Sequence, residues 1–364
     1  MMLGLFLLKV FLPALVALLI TSAALPCWMA VCRKWKIYDK AEESRKHHAA
    51  NIPSIGGIAI FIGFVASFFL FNDTGVSTFV KFFCVACVLL FYTGFFDDLL
   101  NISALKKLLM QLAAALLIVV SGLKITTLMG LFGVYEISTI PSFIITTFFI
   151  VALTNAYNLI DGIDGLASSM GILVLTIFGS IFFTFELYLF AVLAFSFSGA
   201  LLGFLIYNVH PARIFMGDSG SLLIGFVISV LTIKLTTLYQ TGTASAMLIN
   251  PTFITAVLFI PCYDMFRVFV IRAVLRKNPL EADRNHLHHM ITRQGLGHNG
   301  ATIILGTFNI VLIAIQQIWI SVNPYLFVLI AVLFAMSVLN SRVIGLIAHV
   351  RNKALAAKGE HANV

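Results

Sequence analysis

Apolar runs long enough to cross a hydrocarbon core of about 30 Å recur along the whole chain. That pattern removes water as the solvent for most of the molecule. Hydrophobic residues make up 60% and charged residues 10% of 364 positions, and the mean hydropathy of +1.04 excludes a soluble globular class. The chain reads as an all-α polytopic membrane protein. About eleven transmembrane helices are expected, over roughly 3–32, 54–71, 78–96, 105–123, 142–160, 165–183, 186–207, 219–239, 251–271, 300–321 and 325–345. An odd number puts the termini on opposite sides.

Orientation follows from Lys and Arg. Of 23 such residues, eighteen fall on one side, as six in 33–53, two in 97–107, Arg213, five in 272–299 and four in the tail. The positive-inside rule makes this side cytoplasmic, with the N-terminus outside and the C-terminus cytoplasmic. The first apolar run is too long, and too closely followed by basic residues, to read as a cleaved signal peptide. Five cysteines, mostly within spans, support neither a disulfide framework nor a zinc site; Cys84 and Cys87 read as packing residues. No internal repeat or separate soluble domain is evident. Residues 1–345 are expected to form one transmembrane catalytic domain, and 346–364 a cytoplasmic tail.

On the cytoplasmic side the acids concentrate: Asp97 and Asp98 in FFDDLL, Asp161 and Asp164 in NLIDGIDGLA, and Asp218 in FMGDSGS. Ionisable groups kept at the ends of membrane spans usually serve function. Asp97 and Asp98 alone are a weak signal, since adjacent acids can be solvated at an interface or cap a helix. NLIDGIDGLA is more specific. Asp161 and Asp164, three apart, share a face if helical; Gly162 and Gly165 leave room for a ligand, and Asn158 adds a neutral oxygen. Such oxygens suit a hard cation, Mg²⁺ with Mn²⁺ as the alternative, bridging carboxylates to phosphates.

In NVHPARIFMGDSGSLL, Asn208 is a turn former and Asp218 precedes the eighth helix, where it would also serve as an N-cap. Phe215 offers an aromatic platform for a nucleobase. DRNHLHHM carries His286, His288 and His289, which lack the thiolate or HxxxH partner of a zinc site and, with Arg284 beside them, fit phosphate better. Lys46, Lys106 and Lys107 are individually compatible with simple positive-inside anchors.

In this order, DD, NLIDGIDGLA, NVHPARIFMGDSGSL and DRNHLHH resemble the polyprenyl-phosphate N-acetylhexosamine-1-phosphate transferase family, over about Lys46 to Arg293. The histidine motif is similar to the HxHH form of bacterial enzymes using UDP-GlcNAc or related sugars. Leu287 interrupts the three consecutive histidines of the muramyl-pentapeptide branch, which stands as the alternative within the family. The resemblance implies that Asn158 and Asp218 hold Mg²⁺ and that Phe215 stacks on uracil. It further implies that Lys107 reaches the diphosphate, and that Arg284 and the histidines belong to a loop closing over phosphate and sugar. Asp97, Asp98, Asp161 and Asp164, with His286, His288 and His289, are the expected catalytic residues. Lys46, Lys107, Asn208, Phe215 and Arg284 are the expected substrate-binding set.

A polyprenyl phosphate with a second pKa near 6 is mostly dianionic at pH 7, so neutralising charge matters more than removing a proton. Asp98 as proton acceptor for the minor monoanion is the secondary reading. The expected partners are a UDP-N-acetylhexosamine, undecaprenyl phosphate and membrane lipids, at the bacterial inner membrane with a cytoplasmic site. A homodimer is compatible with this reading, and no nucleic acid is expected. A secondary transporter would instead place its acids near the bilayer midplane between related halves. A lipid-binding scaffold would leave the clustered acids unexplained.

Overall fold

The computed structural model describes residues 2–35, 52–73, 75–239, 249–275, 286–319 and 323–339. Among them every regular element is helical, and the chain divides into two compact units, Met1–Pro251 and Thr252–Val364.

The first unit carries α1 (Leu3–Trp35), α2 (Gly57–Phe71), α3 (Thr78–Leu100), α4 (Ala104–Val120), α5 (Thr139–Ile160), α6 (Leu166–Thr184), α7 (Tyr188–Asn208) and α8 (Asp218–Tyr239). Helix α8 lies at its centre, packed against α2, α3, α5 and α6, with nearly all of its side chains buried. Beyond its first turn it is mostly apolar on every side, as a helix surrounded by protein requires, and the buried hydroxyls of Ser229, Thr232 and Thr236 donate back to the carbonyls of Phe226, Ile228 and Ile233. Around it α7 packs on α1, α2 and α6, and α4 joins α3 to α5. Other helices keep greasy faces open: Ile140, Ile144 and Phe148, four residues apart on α5, are 64 to 74% exposed. That stripe suits lipid. Within α1, Pro26 has no N–H for the carbonyl of Ser22, which instead accepts a hydrogen bond from the Tyr207 hydroxyl of α7 at 3.3 Å.

The second unit carries α9 (Pro251–Val257), α10 (Phe259–Val274), α11 (Leu287–Ile291), α12 (Gly297–Ile318) and α13 (Pro324–Val338). The straight helix expected over 251–271 is corrected here, because α9 and α10 meet at 79°. Pro261, in the first turn of α10, cannot donate to the carbonyl of Val257. The buried Asn309 of α12 supplies the missing donor, its amide reaching that oxygen at 3.1 Å. A Pro break at membrane depth is tolerated when a neighbour satisfies the freed group in this way.

Each of the eleven expected stretches therefore has a helical counterpart. By length and apolarity, however, seven helices qualify as spans among the described residues, or eight if α9 and α10 are one broken span. The 15 residues of α2 and of α13 extend only about 22 Å at 1.5 Å per residue, short of the hydrocarbon thickness. The chain is a multi-pass membrane protein. The proposed tail, 346–364, lies outside the described residues.

Candidate active site

Four helix ends of the first unit bring the acidic motifs together. Asp97 and Asp98 lie in the last turn of α3, which stops at Asn101, a residue in the left-handed conformation whose N–H returns to the Asp97 carbonyl. After the short turn, α4 opens with Lys106 exposed and Lys107 turned inward. Asn158 lies in the last turn of α5, and Asp218 is the first residue of α8.

The Lys107 ammonium is the meeting point. It donates to Asp97 Oδ2 at 3.1 Å and to Asn158 Oδ1 at 3.5 Å, and forms a very close ion pair with Asp218 Oδ2. Asn158 Nδ2 donates to Asp218 Oδ1 at 2.7 Å and to Ser221 Oγ at 2.9 Å. Lys107, Asp97 and Asp218 are 16, 19 and 24% exposed, so this cluster is screened but not sealed. The carbonyl ends of α3 and α5 also favour a cation here. Three hard oxygens already converge on one positive charge, which is the donor chemistry that a divalent cation such as Mg²⁺ requires.

Asp98 faces the other way. Its Oδ1 accepts the Asp218 amide at 2.7 Å, and its Oδ2 accepts the Ser219 amide at 3.2 Å and the Ser219 hydroxyl at 2.9 Å. A carboxylate from α3 thus caps the positive end of α8. The expectation that Asp218 caps its own helix is corrected: Gly217 precedes it with φ +73°, and the Asp218 side chain is committed to Lys107 and Asn158. Asp98 can approach because glycines surround this turn. A Cβ on Gly94 would fall within the backbone of Asp218 and Ser219, and one on Gly217 would meet Asp98 itself.

Asp161 and Asp164 do not act as a pair on one helical face, since α5 ends at Ile160 and α6 starts at Leu166. Burial within the protein, together with the neighbouring Asp98 and Asp164 carboxylates, raises the Asp161 carboxyl well above the usual carboxylate range, although part of its surface is open. Asp164 is buried and ties down the loop after α7, contacting His210 Nδ1 at 2.6 Å and accepting the Ala212 amide at 3.3 Å. Asn208 has the same duty: its Oδ1 accepts the Gly165 amide at 2.9 Å and its Nδ2 donates to the Ile214 carbonyl at 3.0 Å. Phe215 follows on this loop, half-buried, with its backbone bonded to Pro53 and Gly56 in the segment leading into α2.

The second unit holds the histidines. His286 Nδ1 lies 2.9 Å from Asp264 Oδ2, and Asp264 Oδ1 accepts the Leu287 amide at 2.8 Å. The His286 and His288 rings stack at 5.6 Å, and His289 packs on His288 at 4.3 Å. His288 is 1% exposed, and neither ring nitrogen has a hydrogen-bond partner among the described residues. Lys46 and Arg284 lie outside the described residues.

Sequence reasoning passed over Asp264 and His210. Asp264 had a signal, a lone acid inside an apolar helix. His210 had none beyond its place in NVHPARIF.

The glycosyl transferase family 4 profile matches residues 79–236 of this chain. A probable undecaprenyl-phosphate N-acetylglucosaminyl 1-phosphate transferase of Bacillus subtilis is 35% identical over 272 residues, covering 72% of each chain. The decaprenyl-phosphate N-acetylglucosaminephosphotransferase of Mycobacterium tuberculosis is 30% identical over 72% of this chain and 70% of its own. The undecaprenyl-phosphate alpha-N-acetylglucosaminyl 1-phosphate transferase of Escherichia coli K12 is 29% identical over 76 and 74%. With its acidic motifs gathered at one end of a helical membrane unit and a relative of this similarity along most of its length, the chain belongs to the polyprenyl-phosphate N-acetylhexosamine-1-phosphate transferases of glycosyl transferase family 4.

Proposed function

We propose that this enzyme transfers GlcNAc-1-phosphate from UDP-GlcNAc to undecaprenyl phosphate, giving undecaprenyl-diphosphate-GlcNAc and UMP. The relatives' shared activity supports the reaction class, and the convergence of Asp97, Asn158 and Asp218 on Lys107 carries the assignment of the site. In this reading an oxygen of the lipid phosphate attacks the β-phosphorus. The bond to the bridging oxygen breaks, and UMP leaves with that oxygen.

Two anions must approach each other, so the residues act chiefly by neutralising and orienting charge. Lys107 exchanges its carboxylate partners for diphosphate oxygens. Asp218 and Asn158 hold Mg²⁺, or Mn²⁺, which supplies further neutralisation on the diphosphate. Asp98 keeps the first turn of α8, and with it Asp218, in register. Asp97 sustains the negative field that selects the cation, and Asp161, held neutral by burial and by the neighbouring acids, adds to that field only once the cation is bound, while Asp164 and Asn208 fix the loop presenting Phe215 to uracil. His286, His288 and His289, with Lys46 and Arg284, serve the phosphates and the sugar.

Orientation belongs to the same proposal. Eleven spans, with the N-terminus outside, put the site on the cytoplasmic face of a bacterial plasma membrane, where UDP-sugars are found. Cysteines introduced at Asp73 and Arg284 test it: labelling from outside is expected at the first, and only after membrane opening at the second. External labelling at Arg284 would invert the topology.

Membranes containing the chain, given UDP-GlcNAc labelled in the sugar and undecaprenyl phosphate, should form one organic-extractable product and an equal amount of UMP. Label entering the lipid without UMP release, or no transfer from any UDP-N-acetylhexosamine, would reject the reaction.

A further inference from the structure

The transferase reading places the histidine segment at the substrate, but it gives no role to the buried carboxylate behind that segment. Asp264 lies on α10, 1% exposed, and reaches 22 residues forward to the start of α11. One of its oxygens takes the ring nitrogen Nδ1 of His286 and the other takes the Leu287 N–H. The second contact satisfies a backbone donor at a helix start, where four such groups lack partners within the helix. The first settles the ring. An ionised carboxylate accepts, so the proton shared along that line belongs to Nδ1, and Nε2 is the ring atom left for a substrate oxygen or its proton.

We infer that Asp264 is a positioning residue, a carboxylate that fixes the tautomer and ring plane of His286 and so determines which imidazole nitrogen the phosphotransfer site uses. This inference rests on the transferase reading for its effect on turnover, but not for its effect on the imidazole. The geometry distinguishes it from a packing role. A group that only filled space would leave one oxygen idle, whereas both Asp264 oxygens are spent on the residues that begin the histidine run. The neighbouring ring of His288 stacks parallel to His286 at 5.6 Å, so tilting His286 also disturbs the next imidazole.

Asp264→Asn is the informative change. The amide keeps the shape and can still accept the Leu287 N–H, but its NH₂ now faces Nδ1 and favours the tautomer with the proton on Nε2. The detergent-purified variant should keep the parent's elution profile and thermal midpoint. Its kcat should fall about 10–100-fold, the usual scale for loss of a partner that orients a functional histidine, with KM for UDP-GlcNAc within about twofold. In a His286→Ala background the same change should cost nothing further, because the ring it acts through is gone. Equal fractional losses in both backgrounds, or parent-like kcat in the single variant, would overturn the inference.

Nitrogen-15 spectra of histidine-labelled protein give a readout independent of turnover. The signals absent from His286→Ala identify this ring; protonation at Nδ1 is expected in the parent and a shift toward Nε2 in Asp264→Asn. An unchanged tautomer would also overturn it. A parent that shows the Nδ1 form but transfers no sugar phosphate would instead reject the transferase reading and leave the clamp intact.

Discussion

Two lysines of the first unit meet aspartates at helix ends, and their surroundings differ in kind. Lys9 on α1 pairs with Asp73 at 2.6 Å and reaches the Phe71 carbonyl at 3.4 Å, with Asp73 71% exposed. Lys107 serves two carboxylates and an amide oxygen, all largely enclosed. The two sites sit at opposite ends of α2, since Gly57 adjoins Ser219 and Gly220 while Phe71 adjoins Lys9. Around Lys9 the charges balance and one of them is bathed in solvent, which suits an anchor. Around Lys107, among the described residues, the acids outnumber the cation. That excess is unfavourable until further positive charge arrives, and such a cluster is retained for binding rather than for stability.

The largest effect expected is at Asp218. Asp218→Asn should lower turnover by about 10²–10³-fold or more, the scale seen when one preorganised electrostatic partner is removed, while the protein still inserts and purifies normally. Near-normal turnover would reduce Asp218 to the opening residue of α8 and erase the contrast with Lys9.

Asp98→Ala comes next and acts on both stability and rate. It strands two amides and a hydroxyl, each buried donor costing on the order of 1–3 kcal/mol, so a lower thermal midpoint should accompany the activity loss. Asp98→Asn refines this. If Asp98 mainly capped α8, raising the pH from 6 to 8 should restore little of the Asn variant's rate relative to the parent. Recovery to near the parent rate by pH 8 would make it a proton acceptor.

Asn208→Ala should cost about 1–3 kcal/mol of stability, because the Gly165 amide and the Ile214 carbonyl both lose their partner. An unchanged unfolding midpoint would mean that the loop holds itself.

Smallest of all, Lys9→Met and Asp73→Asn should leave turnover unchanged and alter stability by less than about 1 kcal/mol. The hydrogen bond from Lys9 holds the Asp73 carboxyl below its ordinary value. Its folded pKa is therefore depressed, so its contribution is complete above the unfolded value near 3.9 and disappears as pH falls through the folded one. Melting curves of the parent and Asp73→Asn should converge as pH is lowered below about 4. A gap that widens on acidification would give Asp73 a different partner.

Much of this was legible in the residues, for physical reasons that also mark the limit. Apolar runs announce helices because lipid leaves the chain few other choices. The bend at Val257 and Phe259 was announced by Pro261, a signal masked by the apolar run that flanks it on both sides. Lys107 and Lys106 could not be told apart as bare letters; their different burial depends on the pitch of α4 after the turn at Asn101. Asp98 was more elusive, since a carboxylate capping a helix 120 positions later leaves no local pattern. Asp161 and Asp164 looked like one helical face because a spacing of three suits a helix, but they and their glycines, Gly162 and Gly165, belong to the turn between α5 and α6.

The glycines beside α8 have a consequence for how this protein tolerates variation. Gly57 and Gly94 carry no reactive group, yet an added methyl at either would collide with the backbone of Ser219 or its neighbours. In a saturation scan scored by growth or product, both positions should be as intolerant as the aspartates. A reader of the scan alone would count them as chemical participants. Thermal melts would separate the two kinds: alanine at Gly94 should lower the midpoint and the rate together, whereas Asp218→Asn should lower the rate alone.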